Sequence, residues 1–172
     1  MRHSDVDPRV NAITADIVDA AIAVHRGLGP GLMESTYSAC MRLELEARGH
    51  EVLTELTVPV SWRGRTLTEK LRLDLLVDGL VPVEIKSAEP ASIHRAQLRT
   101  YVRLLEKDAG LLLNFNHELM KDGITRVTAA SSGKTAHFRN IELLKLDGSA
   151  IDPDAALEAR RNAMETEEHG RV

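Results

Sequence analysis

Residues 71–89, LRLDLLVDGLVPVEIKSAE, read as two apolar strands joined at a turn, yet Asp74, Glu84 and Lys86 are set inside them. Successive strand side chains point to opposite faces, so parity tests the register. The odd positions Leu71, Leu73, Leu75, Val77, Val81, Val83 and Ile85 are all apolar, and every charge within the two strands falls on an even position. If both apolar rows face one core, paired residue numbers must sum to an even value. A two-residue Asp78-Gly79 turn would join Val77 to Leu80 and put one set of charges into that core. The pattern therefore predicts an odd loop such as Asp78 to Leu80, or a bulge, with Asp74 roughly opposite Glu84 and Lys86 two residues on along the same face. Pro82 has no N–H and belongs where the ladder needs none.

Two carboxylates this close repel, and each raises the other's pKa unless a cation sits between them. Lys86 supplies part of that charge, and a hard divalent cation supplies more. Oxygen ligands from Asp74 and Glu84, with the Ile85 carbonyl between Glu84 and Lys86, suit Mg²⁺ or Mn²⁺. The plain alternative is a salt-bridged pair on a solvated sheet face, which contributes little to stability. The bare pattern of an Asp followed by Glu-x-Lys is short enough to arise by chance.

Outward from the hairpin, apolar residues at helical spacing predict a helix from Asn11 to about Arg26, broken by GLGPG at 27–31. That loop lacks the Lys-Ser/Thr of a phosphate-binding P-loop and does not follow a strand. LMESTYSACMRLELEARG predicts a second helix closed by Gly49. HEVLTEL and VPVSWRG read as short strands with a turn at Arg63 to Arg65, and SIHRAQLRTYVRLLEKD as an amphipathic helix with Ser92 as N-cap. GLLLNFN reads as a buried strand, with GITRVTA as a further one. The order of elements predicts an α/β sandwich with a mixed sheet. Residues 1–130 form the expected domain; 131–172 read as a polar C-terminal extension, partly helical or disordered.

Composition bounds the function. A chain of 172 residues with 43% apolar content supports one core. The single cysteine, Cys40, excludes an intrachain disulfide framework and fits a buried structural thiol in a reducing, cytoplasmic setting. No apolar run reaches the roughly 20 residues of a membrane helix, and the N-terminus has no signal-peptide core. From Asp152 onward six acids face three arginines, so most of the net charge of −4 sits in the tail and the body is nearly neutral. Nucleic-acid binding would therefore need a local patch or a metal ion. Five aromatic residues of the Phe, Tyr and Trp types argue against a broad stacking platform for single strands.

Three further pieces carry a resemblance. Gly31, Glu34 and Tyr37 stand at the spacing that gives the GxxExxY proteins their name; RLDLLV and VPVEIK resemble the Asp and Glu-x-Lys strands of the PD-(D/E)XK nuclease superfamily; and IHRAQLRTYVRLL, GLLLNFN and LMKDGITRV are similar to the later GxxExxY segments. The resemblance spans about Ile13 to Val127. It implies a restriction-endonuclease-like sandwich, an α/β fold with a mixed central β-sheet flanked by helices. It also implies a Mg²⁺- or Mn²⁺-dependent nuclease acting on nucleic acid and leaves DNA versus RNA open; DNA is the expected partner ahead of RNA. In that scheme Asp74, Glu84 and the Ile85 carbonyl hold the metal, Lys86 is the catalytic lysine and Glu34 completes the site. Gln97 and Tyr101 share a helix face that bears on it. The bland readings stand beside these: Glu34 near a helix start favours the helix dipole, Tyr37 packs in the core, Gln97 bonds a neighbouring backbone, and His25 and His94 are structural. A nuclease-like module that binds nucleic acid or protein with little or no catalysis is the second functional reading. Edge strands and the apolar first helix are compatible with a homodimer.

Overall fold

Asp7 starts the first helix: its side chain accepts the Arg9 N–H at 2.8 Å, and Pro8 fills the first helical position, where an N–H would go unused. The computed structural model describes residues 6–89, 92–129, 143–144 and 150–151. Helix α1 (Pro8–Leu28) buries a stripe that includes Ile13, Ile17, Ala20 and Val24 and ends at Gly29, whose φ of +67° lets its N–H return to the His25 carbonyl. The glycine loop is thus the helix break its composition predicts. Helix α2 (Glu34–Ala47) follows. The Tyr37 hydroxyl donates to the Gly29 carbonyl at 2.6 Å and its ring stacks on Phe115 at 4.2 Å, so this tyrosine packs the core. Cys40 is partly buried against the same core.

The strands are β1 (Val52–Trp62), β2 (Arg65–Val77), β3 (Val81–Lys86), β4 (Ala109–Asn114) and β5 (Ile124–Thr128), with helix α3 (Ser92–Leu104) between β3 and β4. Two-residue strands β6 (Leu143–Leu144) and β7 (Ala150–Ile151) complete a sheet of order β5-β4-β3-β2-β1-β6-β7. Only β3 and β4 run parallel, through the α3 crossover; the other pairs are antiparallel. The helix or disorder expected over 152–170 lies outside the described residues. No helix among the described residues is long and apolar enough to cross a membrane.

Strand β4 shows why helices must cover both faces. All six of its residues are buried: Leu111 and Leu113 join α1 and α2 in the larger core, while Leu112 packs with Leu98 and Val102 of α3. A strand buried on both faces reads as a continuous apolar run, as this one does. Each fully buried leucine or isoleucine contributes about 1.5–3 kcal/mol relative to exposure.

The hairpin register is the one parity required. Val77 pairs with Val81, Leu76 with Pro82 and Leu75 with Val83, across a three-residue loop in which Asp78 and Gly79 both have positive φ. Two expectations fail in detail. HEVLTEL and VPVSW are one continuous strand, because the hairpin passes Pro59 with a register shift between Pro59 and Ser61 instead of ending there. The odd apolar row does not face one core: Leu75 and Val77 join α1 and α2, but Leu73 packs with Leu76, Tyr101 and Leu104 on the α3 side. The change falls at Asp74, facing the stretch of β1 where Glu55 has φ of +54°. Helix α3 is described from Ser92 onward, and residues 90–91 before it lie outside the described residues.

Candidate active site

Strands β2 and β3 separate just beyond the pair Leu75–Val83, where β3 turns to its parallel partner β4. Asp74 and Glu84 are the next residues on each strand. At this fork the Ile85 N–H has no carbonyl opposite on β2 and donates instead to Asp74 Oδ2 at 2.8 Å. Asp74 thereby replaces a ladder bond, which fixes its carboxyl beside that of Glu84.

Glu84 is 1% exposed. Its Oε1 accepts from Lys86 Nζ at 2.7 Å, and its Oε2 is buried with no hydrogen-bond partner among the described residues. An orphaned buried carboxylate oxygen costs free energy, so it marks a place where a ligand would stabilise the fold. Burial, with the Asp74 charge adding to it, pushes Glu84 up to about 7 despite the Lys86 ammonium. Burial also raises the Asp74 carboxyl, against the Ile85 amide and Lys86, which favour its charged form. For Lys86 burial works to lower the pKa, but the hydrogen bond to Glu84 and the charges of Glu84, Asp74 and Glu34 outweigh it and hold the ammonium above the ordinary lysine value.

Glu34 arrives from the other layer, as the first residue of α2. Its Oε2 stands 4.0 Å from Lys86 Nζ and its Oε1 accepts the Ser87 N–H at 3.3 Å. Lys86 therefore lies between Glu34 and the Asp74–Glu84 pair. Gln97 forms no hydrogen bond with the carboxylates: its Nε2 donates to the Tyr101 hydroxyl at 3.2 Å, and that hydroxyl donates to the Arg72 carbonyl, two residues from Asp74. Burial is the main reason the Tyr101 hydroxyl is pushed up to about 12.

A cleft of about 620 Å³ opens over Asp74 and Glu34, walled by Met33, which caps α2, by Ser38 and Arg42 of α2, and by Arg72 and Glu55 of the long hairpin. Arg72 pairs with Glu55 at its rim. Sequence reasoning gave no role to Ser38, Arg42 or Arg72. Four-residue steps from Glu34 along α2 would have found the first two, and the even row of β2 the third. His25 is a packing residue, its Nε2 bonded to the His117 carbonyl at 2.8 Å. His94 lines a different cleft.

The donor set fits a hard divalent cation. Among the described residues no three His, Cys, Asp or Glu side chains gather as a cage. Two carboxylates, one with a free buried oxygen, plus a carbonyl and water is the kind of partial shell that Mg²⁺ accepts. A family model for the PD-(D/E)XK nuclease superfamily matches residues 11–127, more than half of the chain. No curated protein and no solved structure matches it. The mixed sheet flanked by helices is the restriction-endonuclease-like α/β fold.

Proposed function

The chain belongs to the PD-(D/E)XK nuclease superfamily, and on that premise we propose that it is a divalent-cation-dependent nuclease of the GxxExxY group, hydrolysing phosphodiester bonds of nucleic acid, DNA rather than RNA, in the cytoplasm. The observation that carries the reading is the buried, partnerless Oε2 of Glu84 beside Asp74, with Lys86 on the other oxygen. Nucleases of this superfamily generally use divalent metals and act on nucleic acid.

Asp74 and Glu84 would hold the cation, with the Ile85 carbonyl as a third donor and Glu34 close enough to act through water. Mg²⁺ or Mn²⁺ bound there would lower the pKa of a water and offset charge on a phosphoryl oxygen. Lys86 is held as an ammonium by its carboxylate neighbours, so it suits charge stabilisation at the phosphoryl group rather than proton removal. Asp74 is kept in place by the Ile85 amide. Gln97 and Tyr101 are positioning residues, whose chain of hydrogen bonds fixes the Arg72 carbonyl and with it the approach of β2 to the fork.

The test is cleavage of single- and double-stranded DNA and RNA with Mg²⁺ or Mn²⁺, comparing the native chain with Glu84→Ala and Lys86→Ala. Cation-dependent cutting lost in both variants is expected. Cutting that survives both substitutions would come from elsewhere and sink the assignment. Cation binding without any cutting would assign the chain to the second reading, a nuclease-like binding module.

A further inference from the structure

A second cleft, of about 410 Å³, lies between α3, β4 and β5, and its lining includes Leu112 and Asn114. Glu84 pairs with Leu112 and Lys86 with Asn114, so this cleft begins one strand over from the carboxylates. Ile85 and Val83 face the α1/α2 core while Leu112 packs on α3, which places Glu84, Lys86, Leu112 and Asn114 on one face of the sheet. Adjacent strands are about 4.8 Å apart, so the two sites are neighbours.

The cleft is basic. Arg95 and Arg99, four residues apart on one side of α3, stand in its lining with His94 and His117, and Asp122 is the one acid there. Both arginines are exposed and form no ion pair with a described residue, whereas Arg9, Arg42, Arg48 and Arg72 are each tied to a carboxylate. The polar groups of Asn114 are already occupied, by the Ala88 carbonyl and the Asn116 N–H. The opposite wall is rigid: Gly123 backs so closely on Asn114 that a Cβ would fall 2.0 Å from the Asn114 carbonyl oxygen. Two guanidinium groups with no ion pair among the described residues, over a preformed hollow, suit a phosphate, which arginine meets with two parallel N–H donors.

We propose that this cleft seats a backbone phosphate of the nucleic-acid strand beside the bond cut at Asp74 and Glu84, an inference that rests on the nuclease reading. Arg95 and Arg99 hold the strand without reading its bases and so set its register over the carboxylates.

The experiment is binding of labelled single- and double-stranded DNA and RNA oligonucleotides, followed by fluorescence anisotropy in EDTA over roughly 50–200 mM KCl. The native chain is compared with the double variant Arg95→Gln/Arg99→Gln and with Arg48→Gln, an exposed arginine remote from the cleft. The expected result is a loss of about tenfold or more in affinity for the double variant, with the log–log salt slope shallower by about 1.5–2. Its melting midpoint should be unchanged, and Arg48→Gln should bind as the native chain does. Native-like affinity and slope in the double variant, while the native chain binds and cuts, would overturn this inference alone. An equal loss in Arg48→Gln would reduce the effect to overall charge and overturn it as well. A native chain that binds none of the probes in EDTA would overturn this inference, and the nuclease reading would still stand or fall on the cation-dependent cleavage test.

Discussion

Asp78 and Glu84 are buried acids on the same hairpin, 7% and 1% exposed, and their surroundings are opposite. Asp78 sits in the turn with both oxygens engaged: Oδ1 accepts the Glu51 N–H at 2.8 Å and Oδ2 pairs with His50 Nδ1 at 2.7 Å. His50 reaches on to Asp16 of α1 at 3.1 Å, so this acid ties turn, strand and helix together. Glu84 has one oxygen on Lys86 and the other without a hydrogen-bond partner among the described residues. A buried acid that exists to hold the fold has its hydrogen bonds completed by the fold. One left incomplete, next to a second carboxylate, would be completed by the cation of the proposed function.

The contrast predicts a separation of effects. Glu84→Ala should reduce cleavage per folded molecule by roughly 10²–10³-fold, while Asp78→Ala should leave it unchanged; equal losses in a single-turnover assay would erase the distinction. The next effect is on pH. Glu84 has a folded-state pKa of about 7 against an ordinary 4.5, so the folded chain keeps a proton that the unfolded chain releases between those values. Stability without divalent cation should therefore fall as pH rises from 4.5 to 7, by up to about 3 kcal/mol. Chemical denaturation across that range should show the slope in the native chain and lose most of it in Glu84→Gln. A slope of equal size in Glu84→Gln would move the effect to another group.

Smaller again is the response to metal. Mn²⁺ at about 100 times its Kd should stabilise the native chain by about 2.7 kcal/mol through mass action, and Asp74→Ala should abolish the rise in melting midpoint. An Asp74→Ala chain that still responds fully would place the ion elsewhere. The smallest effect belongs to the completed acid: Asp78→Ala should cost about 2 kcal/mol, since it leaves the Glu51 amide and His50 without their partner. A loss near zero in urea titration would show that the turn needs only its backbone.

Much of this was legible in the chain. Helices α1, α2 and α3 followed from apolar spacing and from glycine breaks, because a helix or strand half-buried in a core must repeat its apolar residues at its own period. Parity went further and called for an odd loop or a bulge, with Asp74 near Glu84, since a one-residue slip would have buried a row of charges. The same parity failed at Leu73, which packs with α3 and not with α1 and α2. Alternation holds only while the strand is regular, and no residue type announces where the regularity stops.

The sequence by itself determined the helices, the parity of the hairpin register and the approach of Asp74 to Glu84, all of them consequences of local periodicity and turn chemistry. Only the tertiary structure decided what those charges meet. The fork where β3 leaves β2 for β4 lets Asp74 take the Ile85 amide, the packing of α2 brings Glu34 to Lys86, and the α3 crossover sets Arg95 and Arg99 over β4. Each of these joins residues far apart in the chain, and such contacts follow from how layers pack rather than from any spacing along the sequence.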